Sequence, residues 1–205
     1  MPSDPRVERG RRGALALTWF RLALAPVLVG IGMSRGAGWM AASALVLGFL
    51  SDILDGVVAR GHGASTADLR RLDSTVDTIF YLAVAFCAWR LHQAALAPFV
   101  PFIALLIATE LLNYIAAIVR LGREASYHAR SARLFGFLLF VALVTLFVGG
   151  SAALLPFAIA AGFVAHAETL AITFILPEWR HDVPSVRAAW RLRSARRTAA
   201  SESHA

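Results

Sequence analysis

The sequence predicts an all-α integral membrane protein, a bundle of six transmembrane helices with both termini on the cytoplasmic side, and three observations predict it. Hydrophobic residues make up 58% of the chain and the mean hydropathy is +0.64, too apolar for a water-soluble domain of 205 residues. Six apolar stretches have about the 20 residues that a helix needs to cross a bilayer. The 20 basic residues, all of them Arg, gather in alternate connections, as the excess of cations on the cytoplasmic face requires.

Residues 1–13 carry Arg6, Arg9, Arg11 and Arg12 and form a cytoplasmic N-terminal segment suited to an interfacial helix. The first span, Ala14 to Met33, has too long an apolar core for a cleaved signal peptide and is retained. The second, Trp39 to Val58, and the third, Asp73 to Leu91, are separated by Arg60, Arg70 and Arg71. Leu96 to Val119 is the fourth, and Arg120, Arg123, Arg130 and Arg133 separate it from the fifth, Leu134 to Gly150. The sixth, Ala153 to Leu176, closes at Pro177. Only Arg35 and Arg90 fall on the opposite side.

Residues 14–177 thus form one membrane domain, and 178–205 form an Arg-rich cytoplasmic tail. In that tail Trp179, Val183, Val186 and Trp190 give an apolar side able to lie on lipid headgroups, and the composition after Arg197 is that of a disordered end. The net charge of +7 matches anionic headgroups better than nucleic acid. Cys87, the sole cysteine, lies in mid-span, can form no intrachain disulfide and reads as a packing residue.

Four aspartates at the junction of the second and third spans carry the chemistry: Asp52, Asp55, Asp73 and Asp77. Carboxylates are costly at the edge of a bilayer and mark a site when they cluster there. On a helix Asp52, Asp55, Gly56 and Ala59 share one face, and Asp73 and Asp77 are an i, i+4 pair on the next. Clustered carboxylates repel one another unless cations sit among them, and hard oxygen donors select Mg²⁺, Mn²⁺ or Ca²⁺; two ions can share the site. Gly56 and Ala59 would let a phosphate approach the backbone, and Arg60 offers a forked donor to hold it.

The run Asp52-x-x-Asp55-Gly56-x-x-Ala59-Arg60, with Asp73 and Asp77 downstream, resembles the signature of the CDP-alcohol phosphotransferase (CDP-alcohol phosphatidyltransferase) family. That signature has a second glycine, and this chain has Leu69 in its place. Thr18, Arg21 and Pro26 resemble the pattern of the family's first helix. The resemblance implies transfer of a substituted phosphate from a CDP-linked donor such as CDP-diacylglycerol to the hydroxyl of an acceptor alcohol, with release of CMP. It implies two Mg²⁺ or Mn²⁺ ions per active site. Asp52, Asp55 and Asp73 would hold one, Asp73 and Asp77 the second, and Asp77 would take the proton of the attacking hydroxyl. Gly56, Ala59 and Arg60 would line the CDP pocket, in a homodimer whose active sites face the cytoplasm from the inner membrane.

Family members that use a phosphorylated acceptor, such as glycerol 3-phosphate or inositol phosphate, are similar in having a basic pocket after the fourth span. Here that segment offers Arg120, Arg123, Arg130, Ser131 and Arg133, with Ser126 and His128 among them. Loop arginines are also expected from topology alone. For Glu110, Asn113, His166 and Glu168, interhelical hydrogen bonding is the stronger reading. Arg21 can reach the aspartates or snorkel to the interface. Two other classes compete: an aspartate-rich prenyl-type transferase, whose second acidic motif is missing, and a divalent-cation transporter, whose acids would lie at the midplane away from arginines.

Overall fold

The computed structural model describes residues 5–63, 66–123, 127, 129–180 and 182–202. All regular structure among them is helical: α1 (Pro5–Ser34), α2 (Gly38–Gly61), α3 (Ala67–Leu96), a 3₁₀ turn (Ala97–Phe99), α4 (Val100–Leu121), α5 (Arg130–Gly149), α6 (Leu155–Ile175) and α7 (Val186–Glu202). Five stretches are long and apolar enough to cross a membrane. One of them, Arg71–Leu121, is 51 residues long, more than twice the roughly 20 that a single crossing needs. It comprises most of α3 together with α4, so six helices are available to span, as the sequence predicts.

The N-terminal segment is not a separate element, because α1 runs without a break from Pro5 into the first span. Glu8 pairs with Arg11 at 3.2 Å and with Arg12 at 3.0 Å, one turn ahead on the same face, which supports a helix through this charged region. Pro26 lies inside α1 and removes one backbone hydrogen bond without ending it. In α3 the break comes at His92, with φ −131° and ψ 34°.

The chain divides into two compact units, 1–96 with 143–152, and 97–142 with 153–205. In the first, α1 packs along both α2 and α3, which touch each other far less. Missing side chains allow the close approach. A Cβ on Gly48 of α2 would lie 2.7 Å from Cε1 of Phe80 of α3, and one on Gly32 of α1 would lie 3.1 Å from Cα of Cys87. Leu28, Leu45, Val76, Phe80, Val84 and Cys87 fill this core, so Cys87 is the packing residue that the sequence suggests.

In the second unit α4 packs on α6, and α7 on α6. Gly162 of α6 admits Leu106, whose Cδ1 would be 2.8 Å from a Cβ there. The polar residues of these spans bond across helices, as expected. Thr109 Oγ1 and Glu110 Oε2 lie 2.7 and 3.2 Å from the two ring nitrogens of His166, and Asn113 Nδ2 donates to the His166 carbonyl at 3.2 Å. Gly122 ends α4 in a left-handed turn (φ 71°), its N–H bonding the Ile118 carbonyl at 2.9 Å.

Candidate active site

The site lies within the first unit, where three helices build it, one more than the spacing of its acids reveals. The last three turns of α2 place Asp52 and Asp55, and the first turns of α3 place Asp73 and Asp77. Arg21 of α1 lies between them with only 1% of its side chain exposed. Its Nη1 is 3.3 Å from Asp52 Oδ1 and 3.0 Å from Asp73 Oδ1 and also bonds Asp77, while its Nη2 bonds Asp55. Of the two roles open to Arg21, pairing with the acids prevails over snorkelling. The fixed fork of the guanidinium donates to Asp55, Asp73 and Asp77, and Asp52 is held beside it by charge.

Ser51 is a member of the site that the sequence gives little sign of. It is buried, it accepts from Arg21 Nε at 3.3 Å, and it donates to the Gly48 carbonyl at 2.7 Å, which fixes Arg21 from the α2 side. Its place immediately before Asp52, one turn after Gly48, is the only signal.

Exposure divides the acids. Asp55 is 6% exposed, whereas Asp52, Asp73 and Asp77 are 37, 32 and 29% exposed, so three of the four present oxygens to an approaching ligand. Asp52, Asp55 and Asp73 each offer an oxygen within 4.8 Å of the other two. Three carboxylate oxygens this close, from two helices, fit a hard divalent cation such as Mg²⁺ or Mn²⁺. Asp77 stands outside that triad and joins it through Arg21.

On the same helix Gly56 gives room to Arg60. A Cβ at Gly56 would lie 3.0 Å from Arg60 Nη1 and 3.3 Å from Nη2, so the guanidinium folds back over the bare glycine, with Ala59 buried beside it. Leu69, where the signature has glycine, lies in the first turn of α3. Its amide is capped by Thr66 Oγ1 at 3.2 Å and its backbone is helical, so a side chain there brings no backbone strain.

The arginines suggested for an acceptor belong to the second unit, and two of the four are engaged. Arg120 donates to the Thr173 and Phe174 carbonyls at 2.9 and 2.7 Å, satisfying the C-terminal end of α6, and it lies over the Phe174 ring. Arg123 stacks over Trp179, 5.1 Å from the ring centre. Ser131 donates to Glu168, whose other oxygen accepts the Val186 amide at 3.3 Å and so caps α7. Arg130 and Arg133 are exposed, and Ser126 and His128 lie outside the described residues. Nearby, burial holds the Tyr127 phenol above its usual value, against a 3.0 Å hydrogen bond with Thr173 Oγ1.

Comparison with protein families matches residues 13–175 to the CDP-alcohol phosphatidyltransferase profile, a span that includes α2, α3 and every residue of the acid cluster. No curated protein and no solved structure matches the chain.

Proposed function

We propose, from the premise that the chain belongs to the CDP-alcohol phosphatidyltransferase family, that it transfers a phosphatidyl group from CDP-diacylglycerol to an acceptor alcohol and releases CMP. One observation carries this reading: four carboxylates from two helices converge on one buried arginine, next to Gly56, whose missing side chain gives the Arg60 guanidinium room to lie against α2. Six helices able to cross a membrane give a multi-pass protein that meets a lipid donor in place.

The acceptor hydroxyl oxygen attacks the phosphorus that bears the diacylglycerol. A new P–O ester bond forms as the diphosphate bond breaks, and CMP leaves with the electron pair. Asp77, partly exposed and oriented by Arg21, is suited to receive the hydroxyl proton. Asp52, Asp55 and Asp73, with Asp77, are the residues to hold Mg²⁺ or Mn²⁺, which when bound neutralises charge on the entering and leaving oxygens. Gly56 and Ala59 leave α2 without bulk beside Arg60, whose guanidinium would turn from its seat on Gly56 to grip the diphosphate by a bidentate contact. Arg21 and Ser51 keep the acids in register.

The alternation of arginines supports an active site on the cytoplasmic side of the inner membrane. Family resemblance supports a homodimer. Arg130 and Arg133, exposed and basic, are the arginines suited by chemistry to read a phosphorylated acceptor such as glycerol 3-phosphate or inositol phosphate.

The test incubates purified protein with CDP-diacylglycerol, Mg²⁺ or Mn²⁺ and, in turn, glycerol 3-phosphate, inositol phosphate, inositol, serine and choline, with CMP and the lipid product identified by mass spectrometry. Metal-dependent CMP release matched by a new phospholipid is expected with one acceptor. No CMP from any of them would refute the reading.

A further inference from the structure

Part of the apolar side of the tail packs inward. Val183 and Ala189 are buried in a small core with Tyr127, Ala129, Ile172 and Leu176, against which Val186 and Leu192 also pack. α7 is therefore seated on the last turns of α6, and its first amide is held by Glu168. The Pro184 carbonyl, just ahead of α7, accepts the Arg130 amide at 3.3 Å, tying this connection to the start of α5. A helix fixed in this way follows a helix long and apolar enough to cross a membrane, with Val186 and Leu192 turned inward.

What remains outward is basic and aromatic. Arg187 and Arg191 are exposed and no carboxylate pairs with them among the described residues, while Arg193 lies over Trp190, itself 51% exposed, at 5.4 Å. We infer that this outward face of α7 docks onto anionic phospholipid headgroups, the arginines taking lipid phosphates and Trp190 entering the interface. Charge complementarity argues for the partner, since cations beside an anionic leaflet are attracted to it and Trp favours the interface. The pairing of Arg193 with Trp190 sets a cation and an amphipathic ring side by side. This surface shares no residue with the acid cluster, and docking there does not depend on the proposed reaction.

The experiment uses the full chain with Ser194→Cys, carrying a polarity-sensitive fluorophore, in nanodiscs of phosphatidylcholine alone or with phosphatidylglycerol. Cys87 is fully buried and is spared by the label. A blue shift and quenching by brominated lipid are expected in anionic discs only, weakening as salt rises. Each cation is worth about five-fold in occupancy at an anionic surface, so R187Q/R191Q/R193Q should lower the docking equilibrium about 100-fold. The same signal in neutral discs, or an unchanged signal in the triple variant, would overturn the inference. So would a response in neutral discs to inorganic phosphate or to a short RNA, which would assign the face to a soluble anion or to nucleic acid.

Discussion

Replacing Arg21 by Gln tests the architecture of the site most directly. The substitution leaves four carboxylates facing one another without the guanidinium that contacts all of them, one of them, Asp55, almost fully buried. Removing one partner of a buried ion pair costs about 3–5 kcal/mol. Because three of the acids are about one-third exposed, water and salt screen part of the loss, and the lower end of that range applies. For a chain of this size each kcal/mol moves the midpoint by about 2–4 °C, so R21Q should melt about 6–12 °C below the parent protein in EDTA. A divalent ion held by the same acids would stabilise by about 2.7 kcal/mol at one hundred times its Kd. Mn²⁺ should therefore restore most of the lost midpoint in R21Q and raise the parent protein less, since Arg21 already offsets part of the repulsion there. Thermal unfolding in detergent, followed by tryptophan fluorescence with EDTA or MnCl₂, measures both. An R21Q midpoint within 2 °C of the parent in EDTA, or equal responses to Mn²⁺, would refute this account of the charge balance.

Three further outcomes are expected. Asp77→Asn should lower turnover by about 10²-fold or more while the melting midpoint and CDP binding stay near those of the parent protein, as loss of a general base predicts; undiminished CMP release would remove Asp77 from that role. Gly48→Ala should drive a methyl into the Phe80 ring and cost about 1–3 kcal/mol, with Phe80→Leu restoring stability in the double variant; an additive double-mutant cycle would show that the two do not meet. Tyr127→Phe should cost about 1 kcal/mol at pH 8 through loss of the bond to Thr173. The buried phenol is held above its usual 10, so its contribution is complete below that pH and fades as pH rises through the folded-state value. Melts between pH 9 and 12 should then fall more steeply for the parent protein than for the variant.

The six spans were legible because apolarity over about 20 residues is a strong local signal, and the acids because their spacing places them on two helix faces. Arg21 was half-legible: an arginine in a first span can snorkel as readily as pair, and nothing local encodes a partner 52 residues away at Asp73. Ser51 was hidden because a helical serine ordinarily bonds its own backbone, as this one also does at Gly48. The N-terminal segment looked separate on charge, but its charges are spaced as helix-supporting pairs, so polarity changed where the helix did not. Arg120 had been a candidate for an acceptor because loop cations suit anions; the need of the α6 terminus for donors claims it first. In the tail the valines are visibly apolar, but the core they fill is assembled from Tyr127, Ile172 and Leu176, distant in sequence.

The position of Arg21 on α1 also bears on how the chain is made. Arg21 precedes Asp55 by 34 residues and Asp73 by 52, so during synthesis the countercharge reaches the bilayer before the acids it must balance. When the insertion machinery releases α2 and then α3, each acidic helix finds a waiting cation instead of bare hydrocarbon. Once the third helix has left the ribosome, one positive charge faces four negative ones, and the rest of the balance is left to a bound cation.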